Sequence, residues 1–244
     1  MIRTRFRPSA NGPLHFGGAA VARQNWWYAQ ALGGQFVLII DDVNPVFKYG
    51  ASTQLMVRMC EYGDAFQEDL EWLGCPPDEI VYASHFTQAH AAAAAQLGIS
   101  QCAYPEKPSL QLWVQTPPGQ VCEFTYSPWL TLGRVVDDHE LGITGFVRGA
   151  DLVHEAALYD HFGRVLYGAG YSIWQQYNTV IVDPAALICS KSDGSAGIAD
   201  YREAGVTAAQ VCEALDNLIT LPWGYGNLGT QYAQVDEQYL QPPQ

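Results

Sequence analysis

Phe36-Val37-Leu38-Ile39-Ile40 is the stretch that most narrows what this chain can fold into. It is an unbroken apolar run, bounded by Gly33-Gly34 on one side and Asp41-Asp42 on the other. A strand with one wet face alternates apolar and polar residues, but a strand covered on both faces need not. The run therefore predicts an interior strand of a parallel sheet. Residues 2–6 read as a shorter strand, and Gly17 to Leu32 as a helix stopped at the Gly-Gly pair, where glycine suits a left-handed cap. Strand, helix and strand within forty residues make a βαβ unit, whose ligand edge lies at the carboxyl ends of the strands. Arg5 to Gly18 and Asp41-Asp42 fall at that edge.

The texture then changes. A helix is predicted from Ser52 to Leu73, ended by Gly74-Cys75-Pro76-Pro77, and another from Phe86 to Leu97, where Ala91 to Ala95 are plain helix formers. Tyr104 to Tyr126 is Pro-rich with β-type alternation and reads as part of a small insertion. Regular alternation resumes with a strand over Gly142–Val147, a helix over His154–Gly168, a strand over Thr179–Val182 and a helix over Thr207–Ile219. The expected fold class is α/β: a Rossmann-like parallel sheet with an inserted α+β subdomain and a helical C-terminal segment. The expected division is 1–51 and 127–195 as the two halves of the sheet domain, 52–126 as the insertion, and 196–244 as a short stem and tail.

Charge limits the partners. Only 15% of the 244 residues are charged, 12 of them basic, and the net charge is −13. Broad nucleic-acid binding needs clustered Lys and Arg to neutralise phosphates, so this composition disfavours an extensive RNA interface while leaving room for a local one. Cys60, Cys75, Cys102, Cys122, Cys189 and Cys212 show no C-x-x-C spacing, and they read as reduced, packed thiols rather than a zinc ribbon or disulfide framework. No apolar run reaches the roughly 20 residues of a membrane span, and the polar N-terminus lacks a signal-peptide core. The expectation is a cytoplasmic protein without a membrane partner.

The edge motif is Arg5-Phe6-Arg7-Pro8-Ser9-Ala10-Asn11-Gly12-Pro13-Leu14-His15-Phe16-Gly17-Gly18. An extended segment enters a Pro/Gly turn, and a histidine with two glycines opens an apolar helix. Backbone N–H groups and an imidazole can approach a polyphosphate there, at the end of the helix that favours anions. The stretch resembles the HIGH-motif region of class I aminoacyl-tRNA synthetases, most closely the glutamyl branch, with its pattern R-F-A-P-S-P-T-G-x-L-H-I-G.

Three later stretches carry the same resemblance. Ile188-Cys189-Ser190-Lys191-Ser192 is similar to that family's KMSKS loop, with Ile188 in place of its first lysine. Val135-Val136-Asp137-Asp138-His139-Glu140-Leu141-Gly142-Ile143-Thr144, followed by Val147-Arg148-Gly149, resembles its "VVDDHxxGITHVIRG" segment. Ala199-Asp200-Tyr201-Arg202-Glu203-Ala204-Gly205 resembles its "yreaG" stretch. The stations come in family order across most of the chain outside 52–126.

The resemblance implies an ATP-dependent ligase that adenylates glutamate or a related amino acid, with Mg2+ accompanying the ATP and a tRNA or modified tRNA base as acceptor. It places His15, Gly17, Gly18, Ser190, Lys191 and Ser192 around ATP, with His15 and Lys191 catalytic. Arg5, Arg7, Ser9, Asp41, Leu130 and Arg148 fall around the amino acid. The departures cluster at that second group: Arg7 replaces a small alanine, Asp41 a glutamate, Ile39 an arginine, and Val43-Asn44 a Thr-Asp pair. By register Leu130 takes the place of a substrate-contacting tyrosine, although one gap would bring Tyr126 there instead. The nearest members in size, the glutamyl-queuosine tRNA(Asp) synthetases, usually carry a zinc site in the insertion. Here Cys102 stands near that place with Cys122 distant, so no zinc is expected, and His85, His90, His154 and His161 read as packed or solvated. Two other outcomes stay open: a non-tRNA acceptor, or a nucleotide-binding module with weakened turnover.

Overall fold

Alternate residues of the apolar run enter two different cores. In the computed structural model, which describes residues 1–98, 112–116, 120–124, 128–149, 152, 155–178, 180–182, 196–219 and 232–234, the run is strand β2 (Gln35–Ile40). Phe36, Leu38 and Ile40 pack with helices α1 (Phe16–Ala31), α3 (Thr53–Trp72) and α8 (Ala208–Ile219) on one face. Val37 and Ile39 pack on the other face against α4 (Thr87–Gln96), α5 (Pro128–Glu140) and α6 (Ala156–Tyr167). The period-2 pleat of a strand thus explains both the unbroken run and the three layers, helices on each side of a sheet.

Strand β2 pairs in parallel with β1 (Arg3–Phe6) and β3 (Glu79–Tyr82), in the order β1-β2-β3. A second parallel pair joins β6 (Gly145–Gly149) to β7 (Trp174–Asn178). Arg3 and Thr144 link the two pairs: Thr144 N donates to the Arg3 carbonyl at 2.9 Å, and Arg3 N donates to Thr144 Oγ1 at 2.9 Å. Further along, a side chain stands in for a neighbouring strand. Asn25, buried on α1, donates to the Val147 carbonyl and accepts from the Val147 N–H, both at 2.9 Å. That amide leaves neither backbone group of Val147 unpaired, which a buried strand requires.

The interval 52–126, read from sequence as an insertion, contributes β3 to the main sheet. The chain thus returns to the parallel sheet at β3, after α3, within that interval. Within the remainder of that interval, β4 (Leu112–Thr116) and β5 (Gln120–Phe124) form an antiparallel hairpin. Further short elements are α2 (Val43–Tyr49), α7 (Ile198–Glu203) and the parallel pair β8 (Val180–Val182) and β9 (Tyr232–Gln234). No helix among the described residues is long and apolar enough to cross a membrane. Cys60, Cys75 and Cys212 are free thiols, and burial pushes Cys75 up to about 12.

Asp69 couples this fold to pH. It is buried on α3, with Arg202 of α7 at 3.5 Å, and burial raises its carboxyl from the usual 3.8 to about 6 despite that cation. The folded protein then holds a proton that the unfolded chain releases near 4, so this group removes stability as pH rises from 4 through 6. Asp69→Asn is expected to match wild type below pH 4 and to exceed it by about 1–2 kcal/mol above pH 6.5. Thermal melts of both proteins across that range measure the difference.

Candidate functional site

The edge motif is fastened at both ends by backbone hydrogen bonds. Asp41 N donates to the Pro8 carbonyl and Ala10 N donates to the Asp41 carbonyl, both at 2.9 Å, so the loop extends the β1–β2 pairing by one bridge at Ser9. At the far end Ile198 N donates to the Leu14 carbonyl at 2.7 Å, and His15 bridges Gly197. A Cβ at Gly197 would stand 2.8 Å from Pro13 Cβ, so the close approach requires glycine there. The loop is held rigidly over the carboxyl ends of β1 and β2.

His15 is the N-cap of α1. Its Nδ1 accepts from Gly18 N at 3.2 Å, which places the ring proton of the neutral imidazole on Nε2. The first turn of α1 carries no acidic residue, and His15, Gly17 and Gly18 are all half-buried. A Cβ at Gly18 would lie 3.0 Å from Leu14 Cδ1 and 3.5 Å from Phe6 Cζ. A helix entrance lacking anionic and bulky side chains, with an imidazole oriented by its own cap, fits a polyphosphate. Ser190, Lys191 and Ser192 lie outside the described residues, as do Tyr126, Cys102, Cys189 and His154.

The expected amino-acid side of the site is an ion-pair network. Arg5, at the end of β1, donates from Nε to Asp138 Oδ1 at 2.9 Å and from Nη2 to Asp138 Oδ2 at 3.0 Å. Tyr159 OH donates to the same Oδ2 at 2.7 Å, and the guanidinium lies 3.8 Å over the Phe146 ring. Burial opposes the Arg5 charge, but Asp138 more than offsets it and holds the guanidinium above its ordinary value. Burial and the neighbouring Asp138 also push the Tyr159 phenol well above 10.

Arg7 spans two carboxylates. Its Nε donates to Asp137 Oδ2 at 3.0 Å, its Nη2 stands 2.9 Å from the same oxygen, and its Nη1 donates to Asp41 Oδ2. Asp41 Oδ1 accepts from Asn44 N at 3.0 Å. Burial disfavours the Arg7 charge, yet Asp41 and Asp137 raise the group overall. On the far side of Asp137, Oδ1 lies 2.5 Å from His90 Nε2. Arg148, on β6, donates from Nη1 to Glu155 Oε2 at 3.1 Å, and Arg134 donates to the same oxygen. Ser9 is half-buried at the bridge with Asp41, and Leu130 is half-buried on α5.

The structure thus gathers Arg5, Arg7, Ser9, Asp41 and Arg148 at the strand ends and supplies each arginine with a carboxylate of the chain. Asp137, Asp138, Glu155, Arg134 and His90 complete the network and carried no role in the sequence reading. The sequence signal was the adjacent Asp137-Asp138 pair directly after Val135-Val136, and the structure shows both acids fully buried. Acids at such positions are almost always paired. Among the described residues no group of three or more His, Cys, Asp or Glu side chains is arranged to hold a metal ion.

Residues 1–109 match the family profile described as tRNA synthetases class I (E and Q), catalytic domain. The chain is 30% identical to a glutamate–tRNA ligase 2 of Neorickettsia sennetsu, over 93% of this chain and 57% of that protein. It is 28% identical to a glutamate–tRNA ligase 1 of Methylorubrum extorquens over the same shares, 93% and 57%. It therefore spans somewhat over half the length of these relatives. The fold is also that of a glutamate–tRNA synthetase from Elizabethkingia anophelis, with a TM-score of 0.64 at 17% identity, covering 98% of this chain and 69% of that one. Fold and edge motif together define a class I synthetase catalytic core. Among these relatives the core is glutamyl-tRNA synthetase-like.

Proposed function

We propose that the protein activates a carboxylic acid related to glutamate by adenylation. A carboxylate oxygen of the acid bonds to the α-phosphorus of ATP while the bond to the bridging oxygen of pyrophosphate breaks. The products are an acyl-adenylate and pyrophosphate. The observation that carries this reading is the cap at His15, which aims a donor nitrogen and an anion-favouring helix entrance at one place. Lys191 is only six residues before Gly197, whose backbone is bridged to His15. ATP would arrive with Mg2+, and His15 and Lys191 would stabilise the charge that develops on pyrophosphate.

The relatives' names make a tRNA the first candidate acceptor, at its 3′ end or at a modified base. A small molecule, peptide or carrier protein is the second. The charge distribution favours the second: of 12 basic residues, Arg5, Arg7 and Arg148 are withdrawn into internal ion pairs, and the net charge is −13. Few cations then remain for a polynucleotide backbone.

Acid-dependent exchange of labelled pyrophosphate into ATP tests the activation step across a panel of amino and other carboxylic acids. Exchange with at least one acid is expected, and Lys191→Ala should lower it about 10²–10³-fold. Absence of exchange in folded protein, with bulk tRNA both absent and present, would refute the reading. Charging assays with bulk tRNA then separate the two acceptors.

A further inference from the structure

A free amino acid brings one cation and one anion, so a site that grips it needs one available carboxylate and one available cation. In the strand-end cluster each of these groups already has a partner within the chain. Asp41, the carboxylate at the end of β2, has one oxygen on the Asn44 N–H and the other on Arg7. Arg5 spends both of its forward nitrogens on the two oxygens of Asp138. A substrate ammonium at Asp41 would therefore have to share that carboxylate with the Arg7 guanidinium.

We propose that Arg7 is a specificity-determining residue that reverses the hydrogen-bonding polarity of the Asp41 subsite. The acid taken then carries an acceptor oxygen, such as a 2-oxo group, where an amino acid carries its ammonium. This rests on the reading of the site as one that activates a carboxylic acid. A bare Asp41 would accept hydrogen bonds from a ligand cation. The Arg7–Asp41 pair presents a donor instead, because a guanidinium has five N–H bonds and the contacts to Asp41 and Asp137 leave hydrogens on Nη1 and Nη2. Arg7 is itself held in place from two sides, with its side chain 6% exposed. Asp137 is in turn fixed by His90 at 2.5 Å. The donor is therefore preorganised, as discrimination between close analogues requires.

The test is a titration of the intact protein, with ATP present, using matched sets of acids: an amino acid, its 2-oxo counterpart, and the acid with only hydrogen at that carbon. Glutamate, 2-oxoglutarate and glutarate form the first set, and the other common amino acids with their oxo acids follow. Calorimetry reads binding, and pyrophosphate exchange reads turnover. In wild type, at least one oxo acid is expected to bind tenfold or more tightly than its amino acid, with the unsubstituted acid weaker than the oxo acid. The double variant Arg7→Ala/Asp137→Asn removes one charge of each sign and leaves Asp41 open, and its preference should turn toward the amino acid. Arg7→Lys should retain the wild-type order. Wild-type binding of an amino acid as tight as that of its oxo acid would overturn the role of Arg7 while leaving the activation reading intact. Failure to bind either member of any pair by protein that binds ATP would overturn the role of Arg7 and the activation reading together. Failure to bind ATP would instead overturn the activation reading. The wild-type titrations decide the matter even where a variant does not fold.

Discussion

Asp138→Ala is expected to lower the stability of this protein by about 3–5 kcal/mol, a large share of what a domain typically has. Asp138 is fully buried, and its two oxygens take two hydrogen bonds from Arg5 and one from Tyr159. Removing the carboxylate strands a guanidinium that is 4% exposed and leaves the Tyr159 hydroxyl only the Tyr171 hydroxyl, at 3.4 Å. An ion pair of this kind is not itself a large source of stability, because desolvation offsets most of the attraction. The loss comes from breaking it on one side. Arg5→Met/Asp138→Leu should therefore recover most of the stability that Asp138→Ala loses, since Phe146 already offers an apolar wall to position 5. Chemical denaturation of the three proteins checks this. A single variant within 1 kcal/mol of wild type would show that Arg5 relaxes to another partner.

The same pairings explain where the sequence was legible and where it was not. Strand β2 and helix α1 follow from local pattern, because each buries apolar residues at its own period. Strand β7 does not. Trp174 is exposed while Gln175 is buried, and that reversal of pattern is sustained by a 2.7 Å bond from Gln175 Nε2 to Asp160 Oδ1 across to α6. Helix α5 was hidden for a related reason, since Asp137 and Asp138 interrupt its apolar face with charges whose partners lie some 130 residues earlier. The strand expected over Gly142–Val147 begins instead at Gly145, because Gly142 (φ +62) ends α5 and Thr144 is engaged by Arg3. Strand β3 is only four residues long, with Val81 alone buried, so only its register with β2 reveals it.

Arg5, Arg7, Asp41 and Arg148 were recognisable as site residues by type and position. Whether each would face a ligand or another residue of the chain depended on acids too distant in sequence for any local pattern to assign. His90 shows the same limit: alone on an Ala-rich helix it looks inert, and only the fold sets it against Asp137.

His15→Asn separates the structural and chemical roles of the motif histidine. Asparagine is among the best N-cap residues and can accept the Gly18 N–H as His15 Nδ1 does, so stability should change by less than about 0.5 kcal/mol. What it cannot supply is the Nε2–H on the far side of the ring, fixed by the cap to point away from the helix backbone. If that donor acts on the triphosphate as pyrophosphate departs, the exchange rate should fall about 10²–10³-fold, with a smaller change in apparent ATP affinity. His15→Ala should show the same kinetic loss together with about 1 kcal/mol of lost stability, since it removes the cap as well. Equal activity of His15→Asn and wild type would mean that the histidine serves only to start the helix. The charge on the leaving pyrophosphate would then have to be met by the backbone N–H groups of the helix entrance and by Lys191. In that case Lys191→Ala should carry a correspondingly larger share of the loss.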